Sequence, residues 1–290
     1  MSVVLPMPGN EAMAASLAAR LSGDLGLLET RRFPDQESYV RIASDVRGKV
    51  VDVVCSLARP DDQFLSLVFA ARTAREMGAT SVNLVAPYLA YMRQDKRFQD
   101  GEAISSIHFA NLLSQTFDSL VTVDPHLHRR HDLGEIFSIP TRVEHAAALL
   151  AEWIRANVDL PLIIGPDSES EQWVSAVAQR AGAPHIVLSK QRSGDRQVEI
   201  TVPSLDQWKG RRPVLIDDIV SSGRTMIEAA RQLSGRGFAK PYCLAVHALF
   251  ADDSYSRLVG LFERVTTTDT VPHPSNGVSV VELLAPIVPA

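Results

Sequence analysis

Apolar side chains fall along this chain in two alternating rhythms. Short, nearly unbroken apolar runs are followed by longer stretches in which apolar residues recur every three or four positions. The runs are too short for helices, so they predict buried strands, and the longer stretches predict amphipathic helices. Strands are expected at 2–5, 39–42, 50–56, 81–86, 120–123, 162–165, 185–188, 197–202, 242–246 and 264–267, with another opening at Val214. Helices are expected at 11–21, 64–77, 105–114, 144–156, 169–181, 226–233 and 253–261. Strand and helix taking turns over the whole length predict an α/β fold with mostly parallel sheets.

One stretch adds chemistry to this rhythm. An apolar run, Val214-Leu215-Ile216, ends in two carboxylates, Asp217 and Asp218. Ile219-Val220 and then Ser221-Ser222-Gly223-Arg224-Thr225 follow, before the helix. A turn of this kind aims backbone N–H groups and the positive end of a helix at one point, which suits a phosphate. The acidic pair repels phosphate and suits sugar hydroxyls or a divalent cation. A phosphate beside a diol is a sugar phosphate. The order resembles the phosphoribosyl pyrophosphate (PRPP) motif of the phosphoribosyltransferase fold. That resemblance implies that Ser221, Ser222, Gly223, Arg224 and Thr225 hold a ribose 5-phosphate while Asp217 and Asp218 read its hydroxyls. Family members often begin the loop with Asp, where this chain has Ser221. The rival is an ordinary strand–turn–helix with two solvated aspartates, although adjacent carboxylates at a strand end need a partner.

The chain also repeats itself. Ala70-Ala71-Arg72 recurs as Ala229-Ala230-Arg231, and the same interval separates Gly78 from Gly237. It sets Leu57-Ala58-Arg59-Pro60 against Ile216-Asp217-Asp218-Ile219, so the acidic pair is kept only in the second copy. This agrees with the PRPP synthetases, whose chains hold two phosphoribosyltransferase-like halves. The expected domains are therefore 1–143, with the ATP-side contacts, and 144–290, with the PRPP loop. The last ~15 residues are free to return to the first domain, since sequence-read boundaries are loose.

Further stretches resemble the same family. Phe33-Pro34-Asp35-Gln36-Glu37 matches a Phe-x-Asp-x-Glu segment. The match implies that Phe33 stacks on adenine while Asp35 and Glu37 meet its amino group, often across a subunit boundary. The chemistry is sound, because an exposed ring offers a stacking face and a carboxylate accepts from an amine. Pro87-Tyr88-Leu89-Ala90-Tyr91-Met92-Arg93-Gln94-Asp95 looks like the family's ATP-contacting segment, which implicates Arg93, Gln94 and Asp95. Arg93 has the fork of donors that phosphate favours. Asp124-Pro125-His126 follows a strand where the family keeps a histidine near the metal-bound triphosphate, with Pro125 in place of the usual Leu. Ile163-Ile164-Gly165-Pro166-Asp167 resembles a strand whose terminal Asp helps bind Mg²⁺-ATP or the sugar phosphate. Here Ser168-Glu169-Ser170 replaces the usual small residues, and Ser168 with Glu171 could equally form a capping box. Lys190-Gln191-Arg192 matches a Lys-x-Arg at the start of a catalytic arm, here followed by a short polar loop, 193–196.

Composition narrows the class. Hydrophobic content of 46% and charged content of 22% suit a globular protein. A net charge of −5 gives no basic footprint for nucleic acid, and no apolar run reaches membrane-spanning length. The opening residues lack the basic start of a signal peptide, and Cys55 and Cys243 sit in apolar runs as buried thiols, so a cytoplasmic location is expected. The resemblance implies a ribose-phosphate diphosphokinase that joins ATP, with Mg²⁺, to ribose 5-phosphate as a dimer or higher homo-oligomer. In that reading Lys190, Arg192 and His126 are catalytic, and His126 and Asp167 face the metal. Two alternatives share the loop: a phosphoribosyltransferase that consumes PRPP, and a non-catalytic regulatory paralogue of the synthetase. A third is a metal-dependent hydrolase built on His126 and His128, which would need further ligands after later strands. Neither His145 nor His185 follows a clear strand in the sequence pattern.

Overall fold

The computed structural model describes residues 2–127, 129–167, 170–193, 197–201 and 205–289. The side chains of Gln172, of 189–193 and of 197–201 are not part of that description. His128, Ser168, Glu169 and 194–196, all named above, lie outside the described residues.

The chain divides into two compact units. Unit 1 comprises Met1–His145, Thr270–Pro272 and Val280–Ala290; unit 2 comprises Ala146–Asp269 and His273–Ser279. Unit 1 runs β1 (Ser2–Pro6), α1 (Glu11–Leu21), β2 (Asp24–Leu25), β3 (Leu28–Arg32), β4 (Ser38–Ile42), β5 (Val50–Val54), α2 (Pro60–Glu76), β6 (Ser81–Ala86), α3 (Ser105–Ser114), β7 (Ser119–Val123) and β8 (Thr141–Glu144). Six strands form a parallel sheet in the order β2-β1-β5-β6-β7-β8. The strands β3 and β4 stand apart as an antiparallel hairpin.

Unit 2 repeats the plan. It runs α4 (Ala147–Asn157), β9 (Pro161–Gly165), α5 (Glu171–Ala181), β10 (His185–Val187), β11 (Ser189–Ser193), β12 (Gln197–Thr201), β13 (Arg212–Val220), α6 (Arg224–Gly235), β14 (Tyr242–Ala248), α7 (Ser254–Leu261), β15 (Arg264–Thr268) and β16 (Asn276–Val278). Its parallel sheet is ordered β10-β9-β13-β14-β15-β16, again with a separate hairpin, β11–β12. The sequence repeat is therefore a repeat of fold. Ala70, Ala71, Ala229 and Ala230 are all buried, and Gly78 and Gly237 both take positive φ, 95° and 82°.

The interval that aligns these residues fails at the strand–helix junction. It sets Asp217 and Asp218 against Ala58 and Arg59, which lie in the loop before α2, whereas the acidic pair lies within β13. The cause is length: β13 has 9 residues to the 5 of β5, and α6 has 12 to the 17 of α2.

Central strands such as β5 and β7 are buried on both faces, as in parallel sheets that helices cover on both sides. Cys55 and Cys243 are buried free thiols; burial pushes Cys55 up to about 12 and Cys243 higher still, so both are inert. The helix α2 begins at Pro60 rather than 64, since Pro-Asp-Asp-Gln opens it with a polar first turn that carries no apolar period. Likewise α4 begins at Ala147 rather than 144, because Thr141–Glu144 is taken up as edge strand β8. A last helix, α8 (Val281–Leu284), packs on α1 within unit 1, where Arg20 pairs with Glu282. Among the described residues no helix is long and apolar enough to cross a membrane.

Candidate functional site

The acidic pair sits near the C-terminal end of β13, third strand of the unit 2 sheet. The strand does not stop before the pair as its polarity suggested. Ladder pairing with β14 continues through Val220↔Ala248 because Ile219 and buried Val220 extend the apolar register. Each carboxylate turns back on the chain: Asp217 Oδ1 accepts from the Asp218 N–H at 3.0 Å, and Asp218 Oδ1 from the Ile219 N–H at 2.8 Å. Asp217 is only half-exposed. Loss of water, then the charges of Asp218 and Asp167, hold its carboxyl well above the usual range. A desolvated carboxyl that feels two neighbouring negative charges favours a proton, a cation or hydroxyl donors beside it.

The loop beyond them leads into α6. Gly223 caps this helix with φ 65° and offers no side chain, and the first turn of α6 holds no acidic residue. The leading N–H groups of a helix have no partner within it, so a helix start of this kind suits an anion. Gly223 is required twice over. Its φ is left-handed, and a Cβ there would stand 3.1 Å from Leu258 Cδ1 of α7. The Ser221 carbonyl accepts from Ser254 Oγ (2.8 Å) and the Ala251 N–H (3.2 Å), which ties the loop to the head of α7. The sequence pattern did not single out Ser254 or Leu258; their signal was the helix start placed directly after β14.

Asp167 closes the turn after β9. Its carbonyl accepts from Ser170 Oγ at 2.6 Å, and Ser170 stands directly before α5; the capping box expected of Ser168 and Glu171 lies outside the described residues. At Gly165 the end of β9 packs closely on this turn, where a Cβ would lie 2.6 Å from Ser170 Oγ.

In unit 1, Phe33 occupies the tip of the β3–β4 hairpin. It is 38% exposed, edge-on to Tyr39, with the Arg31 guanidinium 4.5 Å from its ring centre. The tip is pinned by Phe33 N–H to Glu37 O (2.8 Å) and Glu37 N–H to Asp35 Oδ1 (3.2 Å), and both acids are exposed. Arg93 is exposed, and Gln94 is half-buried, its amide 3.4 Å from Glu102 Oε2. Tyr91, just ahead, adopts φ 65° and its hydroxyl donates to Asp61, which holds the phenol above its ordinary range. Asp95 is enclosed and paired with Arg129.

His126 is half-buried two residues past Asp124, whose φ of 36° is a left-handed value that a non-glycine residue rarely takes. Asp124 is buried, and its carboxylate lies 2.7 Å from His145 Nδ1. His145 does follow a strand, β8, which the sequence pattern had hidden. His126 belongs to unit 1 and Asp167 to unit 2.

Lys190 and Arg192 lie on β11, opposite Ile200 and Val198 of β12. They belong to a hairpin strand. Among the described residues no three His, Cys, Asp or Glu side chains stand together as a metal cage. A magnesium ion that arrives on phosphate oxygens keeps much of its water and needs one or two carboxylates, which the chemistry of Asp167, Asp217 and Asp218 fits.

Residues 2–116 match the family described as the N-terminal domain of ribose phosphate pyrophosphokinase, and residues 132–276 match the phosphoribosyl transferase domain. The ribose-phosphate pyrophosphokinase of Methanopyrus kandleri is 37% identical over 282 residues, covering 96% of this chain and 95% of that protein. Its namesake in Methanothermobacter thermautotrophicus is 33% identical over 287 residues, covering 98% and 99%. Among solved structures, the phosphoribosylpyrophosphate synthetase of Mycobacterium smegmatis has a TM-score of 0.84 over 98% of this chain and 96% of that one, at 24% identity. At that identity the likeness speaks to the fold alone.

Proposed function

The chain belongs to the ribose-phosphate pyrophosphokinase family, and from that premise we propose that it makes PRPP and AMP from ATP and ribose 5-phosphate. The anomeric hydroxyl oxygen bonds to the β-phosphorus of ATP, the bond from that phosphorus to the α,β-bridging oxygen breaks, and AMP leaves with that oxygen. The hydroxyl proton is released. The observation that carries the reading is the acidic pair of β13 standing ahead of a glycine-capped, acid-free helix start.

In this reading Ser221, Ser222, Gly223, Arg224 and Thr225 bind the 5-phosphate, and Asp217 and Asp218 accept from the ribose hydroxyls. Phe33 stacks on adenine, Asp35 and Glu37 accept from its amino group, and Arg93 and Gln94 bind the rest of ATP. His126 and Asp167 attend the triphosphate; Asp167, a hard oxygen donor, would hold the Mg²⁺ that neutralises phosphate charge there. Lys190 and Arg192 offset the charge that builds on the moving group. Phosphoryl-type transfer needs alignment and neutralisation more than a covalent intermediate, and every residue named here does one or the other. The same reading includes self-association, as a dimer or higher homo-oligomer; a monomer by light scattering with full activity would refute that part.

The likeness to curated relatives over 96% of the chain favours a synthetase over a transferase that needs one half of it. Protein, Mg²⁺, ATP and ribose 5-phosphate are mixed and AMP is followed. AMP formed only with ribose 5-phosphate present is expected. PRPP consumption without ATP use would point to the transferase, and no turnover to a regulatory paralogue.

A further inference from the structure

The segment after β7 is bound to the segment after β6 through one residue, Asp95. The side chain of Asp95 is 5% exposed, and its Oδ1 accepts from Arg129 Nη1 at 2.9 Å. The main-chain oxygen of Asp95 accepts from Arg130 Nη2 at 3.4 Å. Arg130 lies 3.7 Å from Glu135 Oε2, and Glu135 Oε1 accepts from the His131 N–H at 2.8 Å. Asp132 and Glu135 then form a capping box around the turn 133–135. One enclosed residue thus gathers two cations, Arg129 on its carboxylate and Arg130 on its main-chain oxygen, and Arg130 is tied through Glu135 to a closed turn. Arg93 and Gln94 immediately precede Asp95, and His126 lies three residues before Arg129. A carboxylate facing a polyphosphate would repel it. This carboxylate is already matched by a cation of its own chain, Arg129, and removing that partner would leave the enclosed charge of Asp95 uncompensated.

We propose that Asp95 is a positioning residue rather than a nucleotide ligand: through Arg129 and Arg130 it fixes the Arg93-Gln94 segment against the segment that carries His126. The groups that Arg93 and Gln94 bind on ATP are held in register with its triphosphate at His126 by this tie. The inference rests on the nucleotide reading of these segments given above.

The test is steady-state AMP formation by the full chain carrying Asp95→Asn, Arg129→Met, both together, or Arg129→Lys, assayed well below the melting temperature of each. Misplacement of reacting groups is costly, so Asp95→Asn and Arg129→Met should each lower kcat by ~10–10², with the ATP KM within about threefold. The double variant should fall no further than the worse single. Arg129→Lys, which keeps the charge, should return to within about threefold of wild type. Multiplying losses in the double variant overturn the proposal. So does an Asp95→Asn variant that raises the ATP KM about tenfold at unchanged kcat, the behaviour of a ligand. Should Asp95→Asn not fold, Asp95→Glu keeps the charge and lengthens the reach; a kcat about tenfold down at constant KM is expected, and wild-type kcat overturns the inference. A wild-type chain that forms no AMP overturns the functional reading itself and this inference with it.

Discussion

Two junctions in this molecule occupy the same place in the same fold and do opposite things. In unit 1 the chain leaves β5, the third strand of its sheet, and enters α2; in unit 2 it leaves β13, also third, and enters α6. The first junction is filled by its own chain. The Ser56 N–H donates to Asn10 Oδ1 (2.8 Å), Ser56 Oγ donates to the Thr270 carbonyl (2.6 Å), and Asp61 and Asp62 already sit at the positive end of α2. The second has no acid in the first turn of its helix and a glycine for a cap. Both third strands also carry a carboxylate pushed upward. Asp52, sealed in the core beside Asn83, is raised to about 6 by burial; Asp217 is raised by burial and by Asp218 and Asp167 at the strand's open end. The fold supplies a helix start and a strand end twice. Whether the chain satisfies them itself or leaves them to a ligand is decided by a handful of side chains.

The hairpins give the widest contrast, and the largest expected effect. Lys190→Ala and Arg192→Ala in the unit 2 hairpin should each lower kcat by ~10²–10³ with smaller changes in KM. A variant within about threefold of wild type has no part in the transition state. The core carboxylate comes next. Asp52 has a folded pKa of about 6 against an ordinary 3.8, so the folded state takes up its proton first. Its contribution to stability is fully present below pH ~4, is lost as pH rises through ~6, and amounts to about 3 kcal/mol. Asp52→Asn should flatten that fall, read as the difference in denaturant stability from wild type at several pH values. A difference that does not change with pH would break the contrast between the sealed and the open carboxylate.

Asp218→Asn should cost ~1.5–3 kcal/mol in kcat/KM for ribose 5-phosphate and spare ATP; unchanged kinetics would sink the assignment of the β13 end. Phe33→Ala, at the tip of the unit 1 hairpin, should weaken ATP binding by ~0.5–1.5 kcal/mol and leave kcat nearly alone. If ATP affinity is untouched, Phe33 only packs on Arg31 and Tyr39. Smallest is Asp62→Asn in α2, expected to lower stability by ~0.3–1 kcal/mol through the helix dipole while leaving ribose 5-phosphate kinetics as they were. An effect on those kinetics would mean that the filled junction still takes part.

Buried elements were legible from their residues, since runs such as Val50–Val54 and Ser81–Ala86 owe their form to burial, which apolar side chains record directly. Half of each hairpin was legible and half was not. The strands β4 and β12 carry enough β-formers to be seen, but Leu-Glu-Thr-Arg-Arg in β3 and Ser-Lys-Gln-Arg-Ser in β11 are held by one neighbouring strand and leave no apolar mark. The edge strand β8 was lost for a similar reason, and with it the setting of His145. The motif residues of the candidate site could be picked out because strand ends carry them in fixed local order. Their partners could not: Asp95 and Arg129 are 34 residues apart, and Asp124 and His145 are 21 apart, distances over which only the folded sheet brings side chains together.

The return of Thr270–Pro272 and α8 to unit 1 makes that unit discontinuous in the chain. On a ribosome, the first 145 residues emerge without the partner of Ser56 and without the helix that packs on α1. At usual elongation rates the missing segments follow about 6–29 s later. During that interval the first half must persist with one face uncovered, while the second half, contiguous but for its last strand, can close almost as soon as it is made. Completion of the protein therefore runs from the second half back to the first, and a chain cut between the halves yields an N-terminal fragment that lacks part of its own interior.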